Sequence, residues 1–114
     1  MDFKHAFKII THHFEKGNLK YAVIGGFALE SAGVVRATMD IDLLVLADDK
    51  SRIKSIMVAN DYEIVFESKE VITFIGNDYS LGRVDFLLAH RKYTLAMLER
   101  AQKKVCCRAV LKYM

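Results

Sequence analysis

The chain has 114 residues, 53% of them hydrophobic and 27% charged, with a formal net charge of +3. That is ordinary globular composition for a single domain, with room for one core rather than two. No apolar run approaches the ~20 residues of a membrane span, and MDFKHAFKIITHHFEKGN lacks a signal peptide's continuous apolar stretch, so the sequence predicts a cytoplasmic protein without membrane contact.

Phe3, Ala6, Phe7, Ile10 and Phe14 recur at helical spacing and predict an amphipathic helix over 2–16, stopped by Gly17-Asn18. His12 and His13 fall on its wet or boundary side, with no carboxylate or thiol at metal-ligand spacing. A short buried strand over 21–24 runs into Gly25-Gly26. Residues 27–32 then read as a short helix with Gly33 as its C-cap. A strand is expected over 41–47, and Asp48-Asp49 can cap a helix over 49–60 with Ile53, Ile56 and Met57 turned inward. Residues 63–67 and 71–75 read as a hairpin joined by Ser68-Lys69-Glu70. After a turn at Gly76-Asn77-Asp78 comes a buried strand over 83–88, a helix over 91–103 carrying Leu95, Met97 and Leu98, and a short strand or tail over 105–111. The expected fold class is α/β (α+β): a small mixed sheet flanked by helices.

Two features of charge stand out. From Arg91 onward seven Lys or Arg face one acid, Glu99, whereas the first 90 residues carry ten basic and thirteen acidic groups. A basic end on an acidic body suits an anionic partner such as a nucleotide or RNA, though solvated lysines on an amphipathic helix account for any single one of them. The adjacent Cys106 and Cys107 have neither disulfide nor metal-ligand geometry and read as reduced thiols.

The second feature is RATMDIDLLVL, residues 36–46, where two acids open a strand built to be buried. Residues i and i+2 of a strand share a face, about 6–7 Å apart, so Asp40 and Asp42 point the same way and Ile41 turns into the core. Two like charges so close raise each other's pKa unless a cation intervenes. A hard divalent ion answers this: Mg²⁺ takes one or two carboxylates plus substrate phosphates. Asp85 in RVDFLL supplies a third carboxylate if its strand lies beside the first, and three such acids suit a two-ion phosphoryl-transfer site. Gly25-Gly26, ending a strand and opening a helix, allow close approach of a polyphosphate to backbone N–H groups. Arg36 and Thr38 can add hydrogen bonds to phosphate or nucleotide.

VIGGFA, then RATMDIDLLV, then RVDFLL resembles the polymerase-β-type nucleotidyltransferase superfamily over about residues 19–100, and within it the small bacterial group that includes AbiEii-like toxins. The resemblance implies a single minimal nucleotidyltransferase domain over 1–114. It implies that Gly25 and Gly26 contact the phosphates of an NTP such as ATP, that Asp40, Asp42 and Asp85 ligate two Mg²⁺ (or Mn²⁺) ions, and that Asp85 helps deprotonate the acceptor hydroxyl. The implied reaction moves an NMP to a hydroxyl of RNA, protein or a small molecule. Superfamily members usually continue into further helices that bind the acceptor. An antitoxin or accessory helical protein would supply that surface here, or the chain is a shortened copy.

A dinucleotide-binding module lacks its G-x-G-x-x-G, and no G-K-[ST] follows the glycines, which excludes a P-loop. The alternative to an enzyme is a non-catalytic descendant of the same fold that binds nucleotide or a partner protein. His90, at the end of the Asp85 strand, reads as a surface residue rather than a base.

Overall fold

The structure, a computed structural model, describes residues 3–24 and 40–103, and the side chains of 4–24 and 41–101. Helix α1 (Phe3–Lys16) leads into β1 (Tyr21–Ile24). Strand β2 (Asp40–Leu46) passes through a 3₁₀ turn at Ala47–Asp49 into α2 (Lys50–Ala59). The hairpin is β3 (Tyr62–Glu67) and β4 (Val71–Gly76), followed by a 3₁₀ turn (Tyr79–Leu81), β5 (Arg83–Ala89) and α3 (Lys92–Lys103). The predicted short helix over 27–32 and the tail over 105–111 lie outside the described residues.

The five strands form one mixed sheet in the order β1-β2-β5-β4-β3. Strand β5 enters between β2 and the hairpin, parallel to β2 and antiparallel to β4. Alternation along each strand then gives two unlike faces. One carries Tyr21, Val23, Ile41, Leu43, Val45, Val84 and Phe86, all buried, against Phe7, Ile10 and Phe14 of α1 and Ile53 and Met57 of α2. Phe86 is its centre: Phe14 stacks on it (centroids 5.8 Å apart) and Phe74 meets it edge-on at 5.6 Å. Each such ring, fully buried, contributes roughly 1.5–3 kcal/mol of transfer free energy.

Helix α1 stops as expected, with a specific geometry. Asn18 takes the left-handed conformation (φ 57°), and Leu19 N–H reaches back to Phe14 C=O at 2.8 Å, the six-to-one bond of a Schellman ending. The start of α2 differs from expectation. Asp49 occupies the N-cap but makes no side-chain capping bond there, and its carboxylate lies 3.7 Å from Arg52 instead. Of the residues expected inward on α2, Ile53 and Met57 are buried and Ile56 is half-buried. On α3, Leu98 is buried but Leu95 is 39% exposed.

The opposite face is covered only in part. Leu98 and Ala101 of α3 pack on Ala22, Leu44 and Ala89, over the β1–β2 side. A Lys20–Glu99 ion pair at 2.7 Å joins the start of β1 to the same helix. Among the described residues no helix covers the face of β5, β4 and β3, and the candidate site lies there.

Candidate functional site

Register decides what the open face presents. Ile24 stands opposite Asp42, Asp42 beside Asp85, Asp85 opposite Thr73, and Thr73 opposite Phe66. One row across the sheet therefore places Asp42 and Asp85 side by side on neighbouring strands, whose backbones run ~4.8 Å apart, with both side chains on the same face. They line a cleft of about 810 Å³ together with Arg83, Glu70, Leu87 and Phe66. Leu87 is 38% exposed and Phe66 55%, so the floor beside the acids is apolar and open to solvent.

Asp85 is anchored by two neighbours. The Thr73 hydroxyl donates to its Oδ1 at 2.5 Å. The Arg83 guanidinium, two residues earlier on β5, sits 3.4 Å from Oδ1 and 3.3 Å from Oδ2. This cation answers part of the question that two adjacent acids raise. With half of the Arg83 side chain in solvent, this ion pair is weak and leaves the carboxylate available to other partners.

Glu70, in the β3–β4 loop, stands on the rim. It accepts a hydrogen bond from Arg91 Nη2 at 2.9 Å and meets His90 Nε2 at 2.9 Å; these partners, His90 first, hold its carboxyl below the usual range. Its own C=O accepts from Leu88 N–H, so the loop is fastened to the far end of β5. His90 is thus an exposed partner of an acid.

Among the expected site residues, Asp42 and Asp85 are brought side by side. Asp40 opens β2 at the register position of Arg83, its side chain outside the description. Gly25, Gly26, Arg36 and Thr38 lie outside the described residues. Among the described residues no group of three His, Cys, Asp or Glu side chains converges as a metal centre. The pair itself fits a hard cation: two carboxylate donors in register on one face, at the mouth of a cleft with room for substrate phosphates. Three residues escaped the sequence reading. Arg83 was signalled by its i−2 position from Asp85, Thr73 by being the lone polar residue inside VITFI, and Glu70 carried no signal beyond its hairpin.

No family model matches the chain, and no curated protein does so significantly. Solved structures do match. The solution structure of the antibiotic-resistance factor ANT(2″)-Ia superposes with a TM-score of 0.65 at 20% identity, over 78% of this chain and 49% of that one. The lincosamide antibiotic adenylyltransferase LnuA, bound to lincomycin, gives 0.66 at 19% identity, over 76% of this chain and 56% of that one. This is the nucleotidyltransferase fold. A putative nucleotidyltransferase from Thermotoga maritima shares it at a TM-score of 0.57 and 15% identity, over 77% and 58% of the two chains. The chain spans about half the length of these nucleotidyltransferase-fold structures. No helix among the described residues is long and apolar enough to cross a membrane.

Proposed function

We propose that this protein is a metal-dependent nucleotidyltransferase that moves an NMP from an NTP, such as ATP, to an acceptor hydroxyl. The observation that carries the reading is the side-by-side register of Asp42 and Asp85 at the mouth of the open cleft, on a nucleotidyltransferase fold. Asp42 and Asp85, with Asp40, would hold Mg²⁺ or Mn²⁺, which supplies charge stabilisation at the phosphates. The backbone of Gly25 and Gly26 approaches the polyphosphate, and Arg36 and Thr38 add hydrogen bonds to it. As the acceptor hydroxyl attacks the α-phosphorus its proton passes to Asp85. The bond to the bridging oxygen breaks, and pyrophosphate leaves.

The apolar floor formed by Phe66 and Leu87 favours a small-molecule acceptor carrying an apolar side over RNA or a protein. Neighbours of the same fold carry lincomycin or adenylyl-2″-tobramycin. Within the superfamily the R-A-T-M-D-I-D spacing favours the AbiEii-like group, with a toxin role in the cytoplasm and an antitoxin or helical partner that supplies acceptor-binding surface.

The test is transfer of label from α-³²P NTPs to a panel of RNA, protein and hydroxylated amine acceptors in Mg²⁺. Transfer should fall on the order of 100-fold or more in Asp42→Asn, the scale of losing a preorganised charge-stabilising group. A Mg²⁺–NTP thermal shift with no labelled product from any acceptor would turn the reading to a nucleotide-binding domain without turnover.

A further inference from the structure

Thr73 is the single polar residue among the buried ones described, 4% exposed in the middle of β4. Its neighbours in sequence, Ile72 and Phe74, both point into the core on the other side of the sheet. A hydroxyl buried at such a place costs free energy unless it is bonded, and a valine would fill the same volume without that cost. Among the described residues the hydroxyl has one partner, Oδ1 of Asp85, at 2.5 Å. That is the length of a charge-assisted O–H···O⁻ bond.

We propose that Thr73 is a positioning residue for Asp85, fixing the plane of its carboxylate toward a divalent cation shared with Asp42. The proposal rests on the reading that these two acids take such a cation. The terminal torsion of an aspartate is soft, so a carboxylate without an anchor turns freely. Threonine is the opposite: branched at Cβ, it is stiff at χ1, and here it stands on a strand hydrogen-bonded on both sides. The rigid partner therefore sets the orientation of the soft one. Arg83 cannot do this. Its side chain is long and 51% exposed, and it lies 3.3–3.4 Å from both oxygens, so it supplies charge without choosing a direction. Partners that orient a ligating carboxylate characteristically change metal affinity by about 10–100-fold when removed.

The experiment is titration of the 114-residue chain with Mn²⁺ alone, read by loss of the free-ion electron paramagnetic resonance signal. Thr73→Val, which keeps the shape and loses the hydroxyl, should bind Mn²⁺ about 10–100-fold more weakly than wild type. Thr73→Ala and Thr73→Ser both drop the methyl group and differ only in the hydroxyl, so they give the answer even if the valine variant folds poorly. Serine should keep most of the wild-type affinity and alanine should lose it. Wild-type affinity in Thr73→Val, or serine no better than alanine, overturns the assignment of Thr73 alone. Equal Mn²⁺ binding by wild type and an Asp42→Asn/Asp85→Asn double variant overturns the cation reading, and this proposal with it.

Discussion

The two faces of the sheet are built from alternate residues of the same strands, yet they answer to different demands. Val84, Phe86 and Leu88 of β5 are sealed under α1 and α2, whereas Arg83, Asp85 and Leu87, interleaved with them, line the cleft. On the sealed face the packing is apolar and continuous, and the phenols of Tyr21 and Tyr62 find partners at its margins. On the open face two like charges are held in register and large apolar side chains remain in solvent, arrangements that cost stability. A fold can carry such a face because the other one supplies the core. Stability and chemistry are thus divided by strand periodicity, one residue apart.

The sharpest way to break that division is to truncate neighbours on β5. Phe86→Ala removes the ring on which both Phe14 and Phe74 pack, and should destabilise by about 3–5 kcal/mol. Leu87→Ala, one residue on but facing the cleft at 38% exposure, should cost less, about 1–2 kcal/mol, because more than a third of its surface stays in water. Urea midpoints of the two variants check this. Equal losses would mean that the open face is structural after all.

Why the acids were legible and their surroundings were not follows from the same periodicity. Asp42 and Asp85 each interrupt an apolar run at the start of a strand, and an interruption of that kind is visible in one dimension. Helix α1 was legible too, since Phe7, Ile10 and Phe14 repeat at the helical period. Strand order was not. Nothing local says that β5 enters between β2 and β4, and that insertion alone sets Asp85 beside Asp42 and Thr73 opposite Asp85. Threonine is a common strand residue, so its bond to a carboxylate leaves no mark in sequence. The missing capping bond at Asp49 has the same origin: a carboxylate near a cap also has Arg52 within reach, and the choice between them is made in three dimensions.

A smaller effect sharpens the account of the sealed face at its end. Tyr62, opening β3, is buried and donates its phenol to Leu81 C=O at 2.8 Å, tying the hairpin to the 3₁₀ turn. Gly76 makes room for that turn, because any Cβ there would run into the Leu81 side chain. Tyr62→Phe should cost about 1 kcal/mol at neutral pH, the net worth of one hydrogen bond. Burial also pushes the Tyr62 phenol up to about 12, and Tyr21 is raised further by burial and then by its bond to Glu15. The folded state keeps these protons longer than the unfolded chain does. Their contribution is therefore complete below pH ~10 and is lost as pH rises toward the folded values. Denaturant midpoints between pH 9 and 12 should fall steeply in wild type and less steeply in Tyr62→Phe.

The smallest effect belongs to the surface around the open face. Glu67 is held below the usual carboxyl range by hydrogen bonds from Lys50 and then Lys54, and Glu70 by His90 and Arg91. A depressed carboxyl stabilises the fold above its unfolded pKa and loses that contribution as pH falls through the folded value. Both groups are exposed, and ion pairs in solvent are weak and screened by salt. A Glu67→Gln/Glu70→Gln variant should match wild type closely at pH 7 in 1 M NaCl. At low salt it should show a shallower loss of stability than wild type between pH 5 and 3. If the acid slope survived both salt and the double substitution, it would have to come from carboxylates less exposed than these.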